Sequence, residues 1–169
     1  MILVTLGTQD KKFYRLLDAV EKYIEENKIK EEVIVQAGSS SDYQSKHMKI
    51  FDLIPIDDFQ ELISKCNLLI THGGVGSIIT GLKNNKKVIA IARLKKYGEH
   101  TNDHQLQIIK NFTQNGYILE LPTPEDLKKV INASKKFVPK KYSSNTNNVI
   151  KVIEDYIDNE WGKSYRTLI

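Results

Sequence analysis

Short, wholly apolar runs alternate with stretches of helical periodicity along this chain, and that alternation limits what it can fold into. Ile2 to Leu6 is the first run and ends at Gly7-Thr8. Phe13, Leu16, Leu17, Val20 and Ile24 then recur at helical spacing, which predicts an amphipathic helix to about Glu26. Glu32 to Gln36 is a second buried strand, stopped at Gly38, and Ser39 to Gln44 is a polar loop. Met48 to Ile54 is a weaker third strand. Asp57-Asp58 is placed to cap a helix through Lys65 that buries Phe59, Leu62 and Ile63. Leu68-Leu69-Ile70 runs into Thr71-His72-Gly73-Gly74-Val75-Gly76-Ser77, followed by a helix to about Asn84. Val88 to Ala92 is another apolar strand, and Arg93 to His100 a polar loop. Thr101 or Asn102 caps a helix carrying Leu106, Ile109 and Phe112 that ends near Gly116; Tyr117 to Leu121 is the last strand. Pro124-Glu125-Asp126 opens a helix to about Lys135. Strands this apolar, alternating with helices, predict an α/β, Rossmann-like fold: a mostly parallel sheet with helices on both faces.

Residues 1–135 form one domain in this reading. Residues 136–169 are a basic connector to Asn148, an amphipathic helix from Val149 to about Glu160, and a tail. Packing of residues 149–157 on the chain's own sheet is expected; from Trp161 onward, with Tyr165, Leu168 and Ile169, partner contact or dimerisation is expected. A length of 169 residues, 40% of them hydrophobic, suits one packed domain. With 25 basic and 21 acidic side chains the net charge is +4, too mild for a nucleic-acid partner. No apolar stretch approaches the roughly 18–20 residues of a membrane span. The first residues read as a strand rather than a signal peptide, and one cysteine, Cys66, allows no internal disulfide. A cytoplasmic domain is expected, with Cys66 packed as a small hydrophobe.

In parallel sheets ligands bind where the loops converge at the carboxyl ends of the strands. Three such loops carry unusual residues. In His72-Gly73-Gly74-Val75-Gly76-Ser77, close glycines let a ligand approach backbone N–H groups at a helix N-terminus, which suits a diphosphate. The alternative is a turn that needs glycine for sterics alone. The pattern is neither the dinucleotide fingerprint nor a P-loop. In Gly7-Thr8-Gln9, Thr8 and Gln9 can hydrogen-bond to phosphate or ribose, or Thr8 can simply cap the next helix. In the third loop, six basic side chains (Lys83, Lys86, Lys87, Arg93, Lys95, Lys96) face one acid, Glu99, between Lys83 and His100; this excess of 6 − 1 = +5 exceeds that of the whole chain. It favours an anionic ligand or membrane surface, or is a solvated loop. Asn102-Asp103-His104-Gln105 gathers amide, carboxylate and imidazole groups suited to sugar hydroxyls.

Together the opening strand with Gly7-Thr8-Gln9, the Thr71 to Ser77 turn and the segment Tyr97-Gly98-Glu99-His100-Thr101-Asn102-Asp103-His104-Gln105 resemble one family over about residues 1–135. It is the nucleotide-sugar-binding subunit of bipartite bacterial capsular and exopolysaccharide glycosyltransferases. That family is similar to the C-terminal half of the lipid II N-acetylglucosaminyltransferase and to the small subunit of the dolichol-linked N-acetylglucosaminyltransferase. The resemblance implies the donor half of a GT-B enzyme, peripheral at the inner face of the cell membrane through a membrane-anchored, acceptor-binding partner. It implies inverting transfer of a hexose (galactose, glucuronate or N-acetylglucosamine), in a β-1,4 linkage, from a UDP-sugar to a lipid-linked saccharide, without metal or other cofactor.

Carried over by position, Gly73, Gly74, Val75, Gly76 and Ser77 would hold the diphosphate and ribose, with Gly7, Thr8 and Gln9 closing from the other side. His104 and Gln105 would contact the sugar, with Asn102, Asp103 and Arg93 nearby. Thr80 stands where relatives often carry a ribose-binding glutamate. His72, His100 and His104 are the candidate bases. His72 reads better as a residue that orders the glycine turn, and His104 as a sugar or phosphate contact; the resemblance implies that the base is one of these two histidines or belongs to the partner, since related single-chain enzymes carry it in the acceptor half. A non-catalytic donor-binding module that stimulates its partner is the alternative reading.

Overall fold

The computed structural model describes residues 1–161. Six strands form one fully parallel sheet: β1 (Ile2–Thr5), β2 (Val33–Gln36), β3 (Lys49–Phe51), β4 (Leu68–His72), β5 (Lys87–Ile91) and β6 (Leu119–Glu120), in the order β3-β2-β1-β4-β5-β6. Val4 pairs with Val35 on one side and Ile70 on the other, so β1 is central. The chain leaves β1 for β2 and returns to β4 on its opposite flank, and loops diverge at that reversal to leave a crevice.

Side chains alternate across the strands, which gives two cores. Ile2, Val4, Val35 and Ile70 join one layer with Leu16, Leu17 and Val20 of α1 (Tyr14–Asn27) and Leu127, Val130 and Ile131 of α5 (Leu127–Lys136). Leu3, Ile34, Leu69 and Ala90 join the other with Ile63 of α2 (Ile56–Lys65), Ile78 and Leu82 of α3 (Val75–Lys83), and Ile109 of α4 (His104–Gln114). Cys66 is buried in this second layer, as expected of a small hydrophobe.

Several element ends differ from the sequence reading. β3 is confined to Lys49–Phe51, and Pro55 precedes α2, so Asp57 and Asp58 lie in its first turn rather than at its cap. Asp103 is the cap residue of α4, while the Asn102 side chain accepts the His104 N–H at 3.1 Å. The final strand shortens to Leu119–Glu120, although the Leu121 N–H still reaches the Ala90 carbonyl at 2.8 Å.

The largest departure is α6 (Thr146–Trp161), in which no residue is buried. The expected packing of residues 149–157 on the sheet does not occur: Val152 is 67% and Tyr156 62% exposed. Both faces of the sheet are already covered by α1 to α5. Trp161 is also exposed; the expectations for Tyr165, Leu168 and Ile169 lie outside the described residues. Among the described residues, no helix is long and apolar enough to cross a membrane.

Candidate functional site

The β4–α3 turn ends a strand and opens a helix within three residues. Gly74 is the cap residue, so the N–H groups of Val75, Gly76 and Ser77 belong to the first turn and have no carbonyl four residues back within the helix. They sit at the positive end of the helix dipole. Among the described residues, nothing beyond its chain neighbours and its own helix backbone lies within 4 Å of where a Cβ at Gly76 would be, so packing does not require glycine there and the backbone is open to approach. Gly73 is different: a Cβ would fall 2.8 Å from Gln105 Cβ and 2.9 Å from Ile109 Cδ1, so its size is set by contact with α4.

His72 ends β4 and lies between the loops that follow β1 and β4. Its ring lies against both Gly7 and Gly74, and a Cβ at Gly7 would stand 2.5 Å from His72 Cε1. Gly7 also has φ +76, the left-handed conformation that turns the chain sharply off β1. Beneath the ring, Thr5 Oγ1 and Thr71 Oγ1 are hydrogen-bonded at 2.8 Å in the buried interior. Burial, reinforced by the Arg93 charge, lowers the His72 pKa to about 4, so the imidazole is neutral at neutral pH.

Arg93 does not belong to an exposed basic loop. It is fully buried; Nη2 and Nε donate to the Leu6 carbonyl at 2.6 and 3.2 Å, and Nη1 to the Lys11 and Glu99 carbonyls at 2.7 and 3.3 Å. Burial moves its pKa down to about 10, which leaves it charged at neutral pH. The expectation that Arg93 touches a ligand is therefore corrected: its donors are turned inward onto carbonyls. Glu99, also buried, accepts two bonds from Arg15 at 2.8 and 2.9 Å and the Leu94 N–H at 3.0 Å. The local basic excess is thus reduced to exposed lysines such as Lys95 and Lys96.

Gln105 is likewise enclosed. Its Oε1 accepts the N–H groups of Gly73 and Arg93, both at 3.0 Å, and so bridges the loops after β4 and β5. The Gly73 N–H is thereby committed within the protein. Asn102, Asp103 and His104 are exposed at the start of α4, and the Asp103 carboxylate accepts the Lys95 N–H at 2.7 Å. Thr8 and Val75 are exposed, Ser77 is half-buried, and Gln9 donates to Asp10 at 2.9 Å. Thr80 donates to the Gly76 carbonyl one turn back at 2.8 Å, which engages its hydroxyl proton within α3. Thr8 does not cap α1, whose cap residue is Phe13.

Gly7, His72, Gly73, Gly74 and Gln105 therefore converge, Gly76 and Ser77 line the open side, and the Asn102 to His104 group stands on the rim. The sequence reading did not single out Arg15, or the role of Gly38, where a Cβ would meet the Gly7 carbonyl at 2.6 Å. The Gly38 strand stop was its only local signal; Arg15 had none. A depression of about 260 Å³ lined by Lys12, Tyr14, Arg15, Tyr97 and Glu99 adjoins these loops. Tyr97 covers the Arg15 guanidinium at 4.8 Å. Larger hollows, of about 510 Å³ between α1 and α5 and about 630 Å³ at the amino ends of the strands, lie elsewhere.

This parallel sheet, with its loops gathered at one edge, is the architecture of the C-terminal domain of GT-B glycosyltransferases. Residues 1–159 match the glycosyltransferase family 28 C-terminal domain, and the chain belongs to that family. Its fold is similar to that of ALG13, solved by NMR (21% identity, TM-score 0.58), with 86% of this chain and 91% of that one covered. It is also similar to MurG of Acinetobacter baumannii (15% identity, TM-score 0.61, 90% and 49% covered). The calicheamicin glycosyltransferase CalG4 is a third likeness (14% identity, TM-score 0.62, 94% and 43% covered). At these identities the likeness is one of fold. The chain spans less than half the length of MurG and CalG4. No curated protein sequence matches it.

Proposed function

We propose that this chain is the donor-binding subunit of a two-protein glycosyltransferase: it holds a UDP-sugar while a membrane-anchored partner presents a lipid-linked saccharide at the cytoplasmic face. The observation that carries the reading is the open α3 N-terminus, where the space beside Gly76 is empty and the first-turn N–H groups have no acceptor within the helix. A diphosphate there would be bound by backbone N–H groups and the helix dipole. Val75, Gly76 and Ser77 take that role, Gly7, Thr8 and Gln9 approach from the β1 side, and Asn102, Asp103 and His104 meet the sugar.

The reaction is an inverting displacement: an acceptor hydroxyl attacks the anomeric carbon, a base takes its proton, and UDP departs. The N–H groups and exposed lysines stabilise the leaving diphosphate without metal. His72, packed between two glycines, positions the turn; the base comes from His104 or from the partner. The transferred hexose is galactose, glucuronate or N-acetylglucosamine, in β-1,4 linkage, for capsular or exopolysaccharide synthesis. The exposed apolar face of α6 is the surface for the partner, and a homodimer through that face is the competing outcome.

Ligand-observed NMR with UDP, several UDP-sugars and NAD tests the first step. Uridine-selective binding lost in Gly74→Asp supports the reading; NAD binding without UDP binding rejects it. Transfer should require both proteins. A partner active alone and only stimulated by this chain would make the chain a non-catalytic binding module.

A further inference from the structure

The β1–α1 loop, residues 6–13, has no regular secondary structure, yet it must be placed accurately against the α3 N-terminus if both are to grip one diphosphate. A single buried guanidinium reaches both ends of it. Arg93, leaving β5, donates to Leu6 at the start of the loop and to Lys11 near its end, and also to Glu99 in its own loop. Its acceptors are three backbone carbonyls, a match to the planar donor fork that an ammonium cannot reproduce. The ring of Phe13 lies 4.8 Å from the same guanidinium. The Arg93 N–H is in turn held by Gln105 Oε1, which also holds Gly73 of the opposite loop. Arg15 then fastens the outer side, through Glu99 and through the Ala92 carbonyl at 2.8 Å.

We infer that Arg93 is a positioning residue: its guanidinium latches the β1–α1 loop to the β5–α4 loop and, through Gln105, to the glycine turn, so that the two walls of the diphosphate cradle keep one spacing. The inference rests on the donor-site reading for its ligand but not for the latch itself. Arg93 stands behind the cradle, and its contribution to binding is made through the backbone it holds. A guanidinium that merely filled the core would stabilise the fold without favouring one part of a ligand over another. A latch acts on the phosphate end alone, because the loops it joins are those that meet there.

The test uses the full chain and Arg93→Lys, which retains charge and approximate length but loses the fork. Backbone ¹⁵N relaxation of residues 7–12 in the unligated proteins reads the latch directly. In the unsubstituted chain the loop should be as ordered as the strands, with order parameters about 0.85, and in Arg93→Lys it should fall below about 0.6 while β1 and β4 stay rigid. UDP affinity should then weaken about tenfold, as misplacement of a binding wall predicts, while uridine affinity stays within about twofold. Unchanged order parameters in a folded Arg93→Lys, or equal losses for UDP and uridine, overturn the inference. If Arg93→Lys does not fold, the unsubstituted chain decides: order parameters of residues 7–12 below about 0.6 refute the latch and values about 0.85 sustain it. A loop that loosens in Arg93→Lys while the unsubstituted chain binds no UDP leaves the latch standing and rejects the donor-site reading.

Discussion

The His72 imidazole packs against Gly74 so closely that a Cβ on the glycine would overlap ring Nε2. The glycine at the α3 cap is thus required by its own neighbour, at an ordinary φ of −76°. Gly74→Ala should displace the ring or the turn and destabilise the protein by about 1–3 kcal/mol, as overpacking does. Urea unfolding measures the cost, and a stability equal to that of the unsubstituted protein would show that the ring moves freely.

Gly76 should behave in the opposite way. It is helical, at an ordinary φ and with open space above it, so Gly76→Ala should leave stability unchanged or raise it by up to about 1 kcal/mol. The added methyl would nevertheless occupy the space assigned to the diphosphate. Thermal unfolding paired with a UDP titration separates the two effects: stability retained, binding weakened.

The His72 pKa makes stability depend on pH. The unfolded imidazole takes up a proton near pH 6.5 and the folded one only near 4, so between those values the unfolded state binds more protons. Stability should therefore fall as pH is lowered from about 6.5 to about 4, by on the order of 3 kcal/mol from this group. His72→Gln should remove that part of the slope. Denaturant midpoints at a series of pH values check it, and identical slopes in both proteins would disprove the assignment.

Gln105→Met leaves the buried N–H groups of Gly73 and Arg93 without an acceptor. The expected cost is about 2–4 kcal/mol, the penalty for two unsatisfied donors in a partly adjustable site. Gln105→Glu keeps an acceptor oxygen and should lose less. Chemical denaturation of the two variants gives the ranking.

Because α6 buries none of its residues, ending the chain at Asn145 should change Tm by less than about 3 °C. The same truncation should abolish any association made through Val149, Ile153 and Tyr156. Calorimetry and sedimentation, run on both lengths, measure the two effects independently.

Much of this architecture could be read from local pattern. The apolar runs beginning at Ile2, Val33, Leu68 and Val88 are strands because each is flanked by sheet on both sides and covered by helices on both faces. The glycine turn was legible for a related reason: three glycines and a serine at a strand end leave few other conformations. Periodicity was less informative for α6, since an apolar stripe reports that a helix face avoids water and not what covers it.

The sequence by itself determined which segments alternate as strand and helix, since burial on one or both faces is written into side-chain spacing a few residues at a time. Only the tertiary structure decided what Arg93 and Gln105 do. Among the six basic side chains between Lys83 and His100, Arg93 is the one fully buried, because carbonyls 82 and 87 residues away, at Lys11 and Leu6, are brought to it by the pairing of β1, β4 and β5. A hydrogen bond across such a separation leaves no local trace, and the same chemistry that marks a residue as a ligand for phosphate marks it equally as a ligand for backbone.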